Sequence, residues 1–356
     1  MRRLVVLMIF LSGVSAFSCT TFVLESGHHV YLGKNLDWDW DEGIVVVNQR
    51  NVRKRAFVLG ENAVTWTSKY GSVSFNQFGR EMPFGGMNQA GLVVENMWLD
   101  DTHYPAVDRR PEINLLQWIQ YQLDNCSTVQ QVIESDKKIR LENTPVRARI
   151  HYLVCDAQGN AATIECLNGS MQVHFGKDLP YRALANDTYE RSAATLQSNP
   201  SHGDLSKPLP NKDSITRFCR AAERAKAFKP AKNPAQDVAY AFETLQQVRQ
   251  GDYTVWQIVY DISSRQIHFR TRHNGQARHV DLNALNFGCN QPVQFADINS
   301  ACPSSGLVQF HELREEEHRK FLTQFAAQNS VKQTVGDISL MVEPYLSVVR
   351  SYKCAD

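Results

Sequence analysis

Neither charge is in excess in this chain: 38 Lys and Arg stand against 37 Asp and Glu, a formal net charge of +1. Without a basic surplus there is little to hold a polyanionic backbone, so nucleic acid is not an expected partner. Also missing is any run of the ~20 apolar residues that crosses a bilayer as a helix, and no stable membrane insertion is expected. No two of the eight cysteines have Cys-x-x-Cys spacing, which removes support for a zinc ribbon or a redox dithiol. No glycine-rich phosphate loop follows a strand, so no nucleotide cofactor is expected. His311-Glu312 begins like a zincin motif, but Glu315 stands where the second His is needed, and no metal is expected. There is no linker rich in Pro, Ser or Gly and no internal repeat, so residues 19–356 are read as a single domain.

What is present starts at the N-terminus. Arg2-Arg3 precede the apolar run Leu4 to Leu11, and small residues follow up to Ser18. This is the pattern of a secretory signal peptide over 1–18, with cleavage after Ala16-Phe17-Ser18 and a secreted or periplasmic product. In that compartment disulfides persist, and Cys289 with Cys302 is one candidate bridge, while Cys155 in an apolar run reads as a buried free thiol.

Alternation of apolar residues places strands at Thr21–Leu24, His29–Leu32, Ile44–Val47, Ala56–Leu59, Gly91–Trp98, Ile150–Cys155, Ala161–Glu165 and Met171–Phe175, with two more at Thr254–Tyr260 and Gln266–Arg270. Helical period appears over 113–123, 128–137, 214–228, 234–248 and about 312–328. Strands, then helices, then strands and helices again is not the regular βαβα alternation, and points to α+β with antiparallel sheets.

Cleavage directly before Cys19 has three readings. One is a lipid-anchored lipoprotein, which wants an aliphatic residue three before the cysteine, where Ala16 stands, and a small one two before, where Phe17 stands. A second is a structural cysteine. The third is catalytic: a cysteine with a free α-amino group carries its own general base. The amine (pKa about 7.7–8.0) and the thiol (about 8.5) are matched near neutral pH, so the amine can take the thiol proton and later hand it to a leaving amine.

Cys19-Thr20-Thr21-Phe22, Gly33-Lys34-Asn35-Leu36-Asp37-Trp38 and Gly86-Met87-Asn88-Gln89-Ala90-Gly91-Leu92, followed by Leu184-Ala185-Asn186-Asp187, Ser214-Ile215-Thr216-Arg217-Phe218 and Thr254–Asp261, form an ordered set. It resembles the choloylglycine hydrolase family of linear amide hydrolases, which includes penicillin V acylases and conjugated bile-salt hydrolases. The resemblance implies a four-layered αββα N-terminal-nucleophile fold with Cys19 as nucleophile. Asp37 matches the carboxylate that holds thiol and amine, Asn186 and a backbone N–H near Trp98 match the oxyanion donors, and Arg217 matches an arginine that stabilises charge near the nucleophile. Lys34 stands where the family usually has arginine; it offers a point charge in place of a planar fork. Trp40 and Trp98 resemble the aromatic substrate-pocket residues of the Gram-negative branch, which implies a hydrophobic acyl group on a small-molecule amide. Relatives often form homotetramers.

Bland alternatives attach to each residue. Asp37 lies in an acidic stretch, Asp37 to Glu42, that reads equally as a solvated loop. Arg217 shares its helix with Arg220 and Arg224, Asn186-Asp187-Thr188 is also a glycosylation sequon, and the tryptophans read as core. The expected activity is an exported cysteine amidase cleaving a linear amide between a hydrophobic acyl group and a small amine-bearing head, as in penicillin V, acyl-homoserine lactones or conjugated bile salts. The rivals are an N-acylethanolamine or ceramide-type amidase, and an inactive lipid-anchored or secreted binding protein of the same fold.

Overall fold

The computed structural model describes residues 18–209, 213–301 and 303–355; the expected signal peptide, apart from Ser18, and Cys302 lie outside them. Two antiparallel sheets pack face to face. The first, of six strands, is centred on β1 (Thr20–Ser26) and β2 (His29–Asp37), with Thr254–Asp261 on the far side of β2 and Ala183–Leu184 beside β1. The second has nine strands and includes Val93–Trp98, Ile150–Cys155 and Ala161–Leu167 as neighbours.

The period of two along each strand decides what lies between the sheets. Phe75 of the second sheet meets Tyr260 and Phe269 of the first edge-on at 6.2 and 5.3 Å, and Thr21 donates to Met97 Sδ across the same gap. Phe22 points the other way, over Gly33 of β2, where a Cβ would stand 2.3 Å from the Phe22 ring. Only glycine permits that crossing.

Helices cover the outer faces. In chain order they are α1 (Leu115–Asn125), α2 (Val129–Ser135), α3 (Tyr189–Ser198), α4 (Ser214–Ala227), α5 (Pro234–Gln247), α6 (Glu315–Ala327), α7 (Asn329–Val335) and α8 (Val342–Arg350). α4 and α5 pack on the first sheet and α1 on the second, which gives the expected αββα order. Their starts follow the caps: Asp213 accepts from the Ile215 and Thr216 N–H groups, and Asn233 accepts from Ala235 with Pro234 in the first turn.

Two expectations are corrected. Residues 56–58 form no strand; the strand is Val52–Arg55, paired with Thr65–Thr67 and with Lys353–Cys354. That pairing carries the chain end to Cys289, so Cys289 bridges Cys354 at a Cα–Cα separation of 5.6 Å, and not Cys302. Cys155 is free and buried, as are Cys19, Cys126, Cys166 and Cys219.

Candidate active site

Cys19 precedes β1 directly and is 1 % exposed. The Ser18 N–H donates to the Asp37 carbonyl at 3.2 Å, so the antiparallel ladder of β1 and β2 brings the start of one strand to the end of the other. Burial pushes the Cys19 thiol up, opposed chiefly by the Lys34 ammonium and also by an Asp37 backbone N–H and the Arg217 guanidinium.

Asp37 is fully buried, and burial pushes its carboxyl up to about 6 against the pull of Arg217, Thr254 and Lys34. It is not a solvated acidic loop residue. Its Oδ1 accepts a 2.5 Å hydrogen bond from the Thr254 hydroxyl, which in turn accepts from the Gln250 N–H at 2.8 Å. Its Oδ2 is buried and has no hydrogen-bond partner among the described residues. A buried carboxylate oxygen left unpaired costs free energy, and Asp37, the last residue of β2, accepts the Ser18 N–H at its main-chain carbonyl.

Arg217 comes from α4 and is fully buried. Its Nη1 donates to the Cys19 carbonyl and, at 2.6 Å, to the Thr20 hydroxyl; its Nη2 donates to Asn186 Oδ1 at 2.9 Å. The fork therefore holds the Cys19 backbone and the Asn186 amide together, which fixes the amide so that its nitrogen faces away. That nitrogen donates to the Trp98 carbonyl at 2.8 Å and carries a second hydrogen. The sequon reading of Asn186 is at odds with an amide engaged on both sides. Of the backbone donors near Trp98, the Leu99 N–H is committed to the Arg149 carbonyl.

Lys34, directly opposite Thr21, is 1 % exposed. Its Nζ donates to the Asn96 carbonyl and lies 3.6 Å from Glu95 Oε2. Glu95 also accepts from the Tyr260 hydroxyl at 2.5 Å, and burial raises its carboxyl to about 7. Gly85, opposite Glu95, leaves room for that carboxylate: a Cβ there would be 2.2 Å from Glu95 Cδ. The ammonium thus stands between a buried carboxylate and the region of Cys19 and Asp37.

Several supports escape sequence reading. Thr254, Glu95 and Tyr260 reach partners that are distant in sequence: Asp37, Lys34 and Glu95 respectively. His151 spans Glu165 Oε1 (2.8 Å) and the Ala185 carbonyl (2.9 Å), while Glu165 accepts the Tyr189 N–H that opens α3. With the Ser214 hydroxyl accepting the Asn186 N–H at 2.8 Å, these contacts clamp the segment that presents Asn186. A buried His–Glu pair at strand spacing was its only signal.

Beside Trp98 runs a small apolar slot lined by Trp38, Phe78, Phe84, Trp98, Leu116 and Phe325 among others. Asn96, whose carbonyl holds Lys34, also borders it. Trp98 lines the slot; Trp40 does not. The residue that does is Trp38, adjacent to Asp37, while Trp40 packs on the core with its carbonyl accepting from Gln77 Nε2. The structure therefore brings Cys19, Lys34, Asp37, Asn186, Arg217 and Trp98 together and leaves Trp40 out of the slot.

A family description, linear amide C–N hydrolases of the choloylglycine hydrolase family, matches residues 19–295. Penicillin V acylase from Pectobacterium atrosepticum is 26% identical over 324 residues, covering 78% of this chain and 84% of that one. Among solved structures, penicillin V acylase from Agrobacterium tumefaciens superposes with a TM-score of 0.68 at 25% identity, over 78% of this chain and 90% of that chain. A variant of conjugated bile acid hydrolase from Clostridium perfringens shares the fold, with a TM-score of 0.63 at 19% identity, over 78% of this chain and 96% of the other.

Proposed function

The chain belongs to the linear amide C–N hydrolases of the choloylglycine hydrolase family, and from that premise we propose that it is an exported cysteine amidase whose N-terminus, after removal of residues 1–18, is the catalytic base. The observation that carries the reading is Asp37: its Oδ2 is buried without a hydrogen-bond partner among the described residues, and its main-chain carbonyl accepts the N–H of Ser18, the residue before Cys19. Once the bond between Ser18 and Cys19 is cut, the α-amino group of Cys19 supplies the missing donor.

The steps follow from that placement. The amine takes the Sγ proton, and Sγ attacks the amide carbonyl carbon. Negative charge develops on the carbonyl oxygen, where the second hydrogen of Asn186 Nδ2 and a backbone N–H near Trp98 receive it; each such donor is worth ~3 kcal/mol in the transition state. The ammonium returns its proton to the leaving nitrogen, the C–N bond breaks, and a thioester to Cys19 remains. Water, losing a proton to the same amine, attacks the thioester; the acid departs and Sγ regains its proton. Lys34 and Arg217 favour the thiolate, and Asp37 orients the amine.

The slot by Trp38 and Trp98 takes the acyl group. Its apolar lining suits an aromatic or aliphatic chain. The disulfide between Cys289 and Cys354 supports export. Penicillin V, acyl-homoserine lactones and glycine-conjugated bile acids, incubated with the mature chain and followed by release of the amine, test the reading. Hydrolysis of at least one, abolished by Cys19→Ala, is expected; no release from any of the three would refute it.

A further inference from the structure

The family match ends at residue 295, but the slot is not closed by the matched residues alone. Phe325 of α6 and Val335 at the end of α7 form part of its wall, and both are buried. Phe325 meets Phe78, itself a lining residue, edge-on at 5.5 Å. The C-terminal helices thus complete a cavity whose remaining lining comes from the matched core.

The core is shaped to receive them. Gly79 has a φ of +94°, and a Cβ there would stand 2.6 Å from His318 Nε2 of α6; glycine both permits the turn and clears the approach. His318 Nε2 accepts the Arg80 N–H at 3.1 Å, and burial beside Arg80 and Arg319 holds its ring near a pKa of about 3, so the acceptor nitrogen stays unprotonated. Tyr345 of α8 donates to the Arg80 carbonyl. Arg319, Glu315, Glu343 and Arg350 tie α6 to α8, and the disulfide fastens the chain end to Cys289, within the matched residues. Loop 78–80, α6 and α8 form one docked unit whose apolar tip is Phe325.

We propose that this C-terminal cap is the specificity-determining wall of the acyl slot: Phe325, with Val335 beside it, limits the acyl group the enzyme accepts. The proposal rests on the reading of the slot as the acyl site. Substrate classes in an apolar pocket are separated by volume, where one methylene changes selectivity by roughly 10-fold or more, and Phe325 is the largest side chain the cap contributes to the lining.

The test uses the straight-chain fatty acids that an acyl-amide hydrolase would release, graded in chain length. Binding to mature protein is followed by tryptophan fluorescence, and turnover of the matching acyl-homoserine lactones is measured alongside. Four proteins are compared: wild type, Phe325→Leu, Val335→Ala and, as a control in the matched core, Leu116→Ala. The two cap variants should raise the ratio of long-chain to short-chain binding by about 10-fold, with the turnover ratio moving in the same direction. Should Leu116→Ala shift the ratio while both cap variants leave it at the wild-type value, the cap proposal is wrong and the acyl-site reading stands. No chain-length dependence in any of the four would overturn both. Phe325→Leu keeps an apolar side chain and Val335→Ala removes only two methyls, so a folded protein is available for the comparison.

Discussion

Replacing Thr254 by Val removes one hydroxyl and tests how the buried carboxylate is tuned. The hydroxyl donates to Asp37 Oδ1 at 2.5 Å and is among the influences that lower the Asp37 pKa, which burial has pushed up to about 6. A hydrogen bond to a charged group contributes about 1.5–3 kcal/mol, and one pKa unit corresponds to about 1.36 kcal/mol; losing the bond raises the Asp37 pKa by about 1–2 units. The sign is set by the mechanism: Asp37 must be ionised to hold the amine, activity falls as pH drops through its pKa, and the acid limb of kcat/KM moves to higher pH in Thr254→Val. The freed ammonium of Cys19 lowers the Asp37 pKa in both proteins, so the difference between them remains. Stability moves with it. A carboxyl whose native pKa lies above its unfolded value destabilises the fold once pH exceeds the unfolded value, and the variant carries more of that cost at neutral pH. Because the hydroxyl also accepts the Gln250 N–H, Thr254→Ser is the control, restoring both contacts. The assay is the pH profile of amide hydrolysis by mature protein. An acid limb in Thr254→Val at the wild-type position, or one displaced equally in Thr254→Ser, would refute the reasoning.

Two further outcomes are expected. Asn186→Ala should lower kcat by roughly 10²–10³ with little change in KM, and Arg217→Lys, which keeps the charge and loses the fork, should cost part of the same effect; because Arg217 Nη2 holds Asn186 Oδ1, the double variant should lose less than the product of the two, and a multiplicative result in steady-state kinetics would separate them. Replacing both Cys289 and Cys354 by Ser opens a closure of 65 residues and should lower the unfolding free energy by about 2–4 kcal/mol, read from urea melts; an unchanged midpoint would show that the chain end is held by packing alone.

The parts of this account that were legible in the sequence are those that one stretch of chain encodes. The hairpin of β1 and β2 follows from local alternation, and it alone places Lys34 on the strand beside the one that Cys19 precedes and brings Asp37 back to the start of β1. α4 and α5 start where Asp213 and Asn233-Pro234 put them. Asn186 and Arg217 lie far from Cys19 in sequence and were identified by family resemblance, not by any property of their own segments. Thr254 and Tyr260 lie in a segment of the resemblance that assigned them no role, and Glu95 lies in none; what they touch depends on contacts between strands distant in sequence. Trp40 and Trp38 are alike as residues, and only the path of the chain after β2 distinguishes them. Disulfide partners depend on where the chain end docks, and the pairing of Lys353–Cys354 with Val52–Arg55 has no sequence signature.

The central claim is that removing the residues before Cys19 and acquiring activity are one event. Mature protein beginning at Cys19 is to be compared with protein beginning at Ser18, both checked for folding, in hydrolysis of the best amide substrate. The nitrogen of Cys19 in the longer chain is an amide and cannot act as a base, so its kcat/KM should be lower by roughly 10²–10⁴-fold. Equal rates from the two chains would contradict the account.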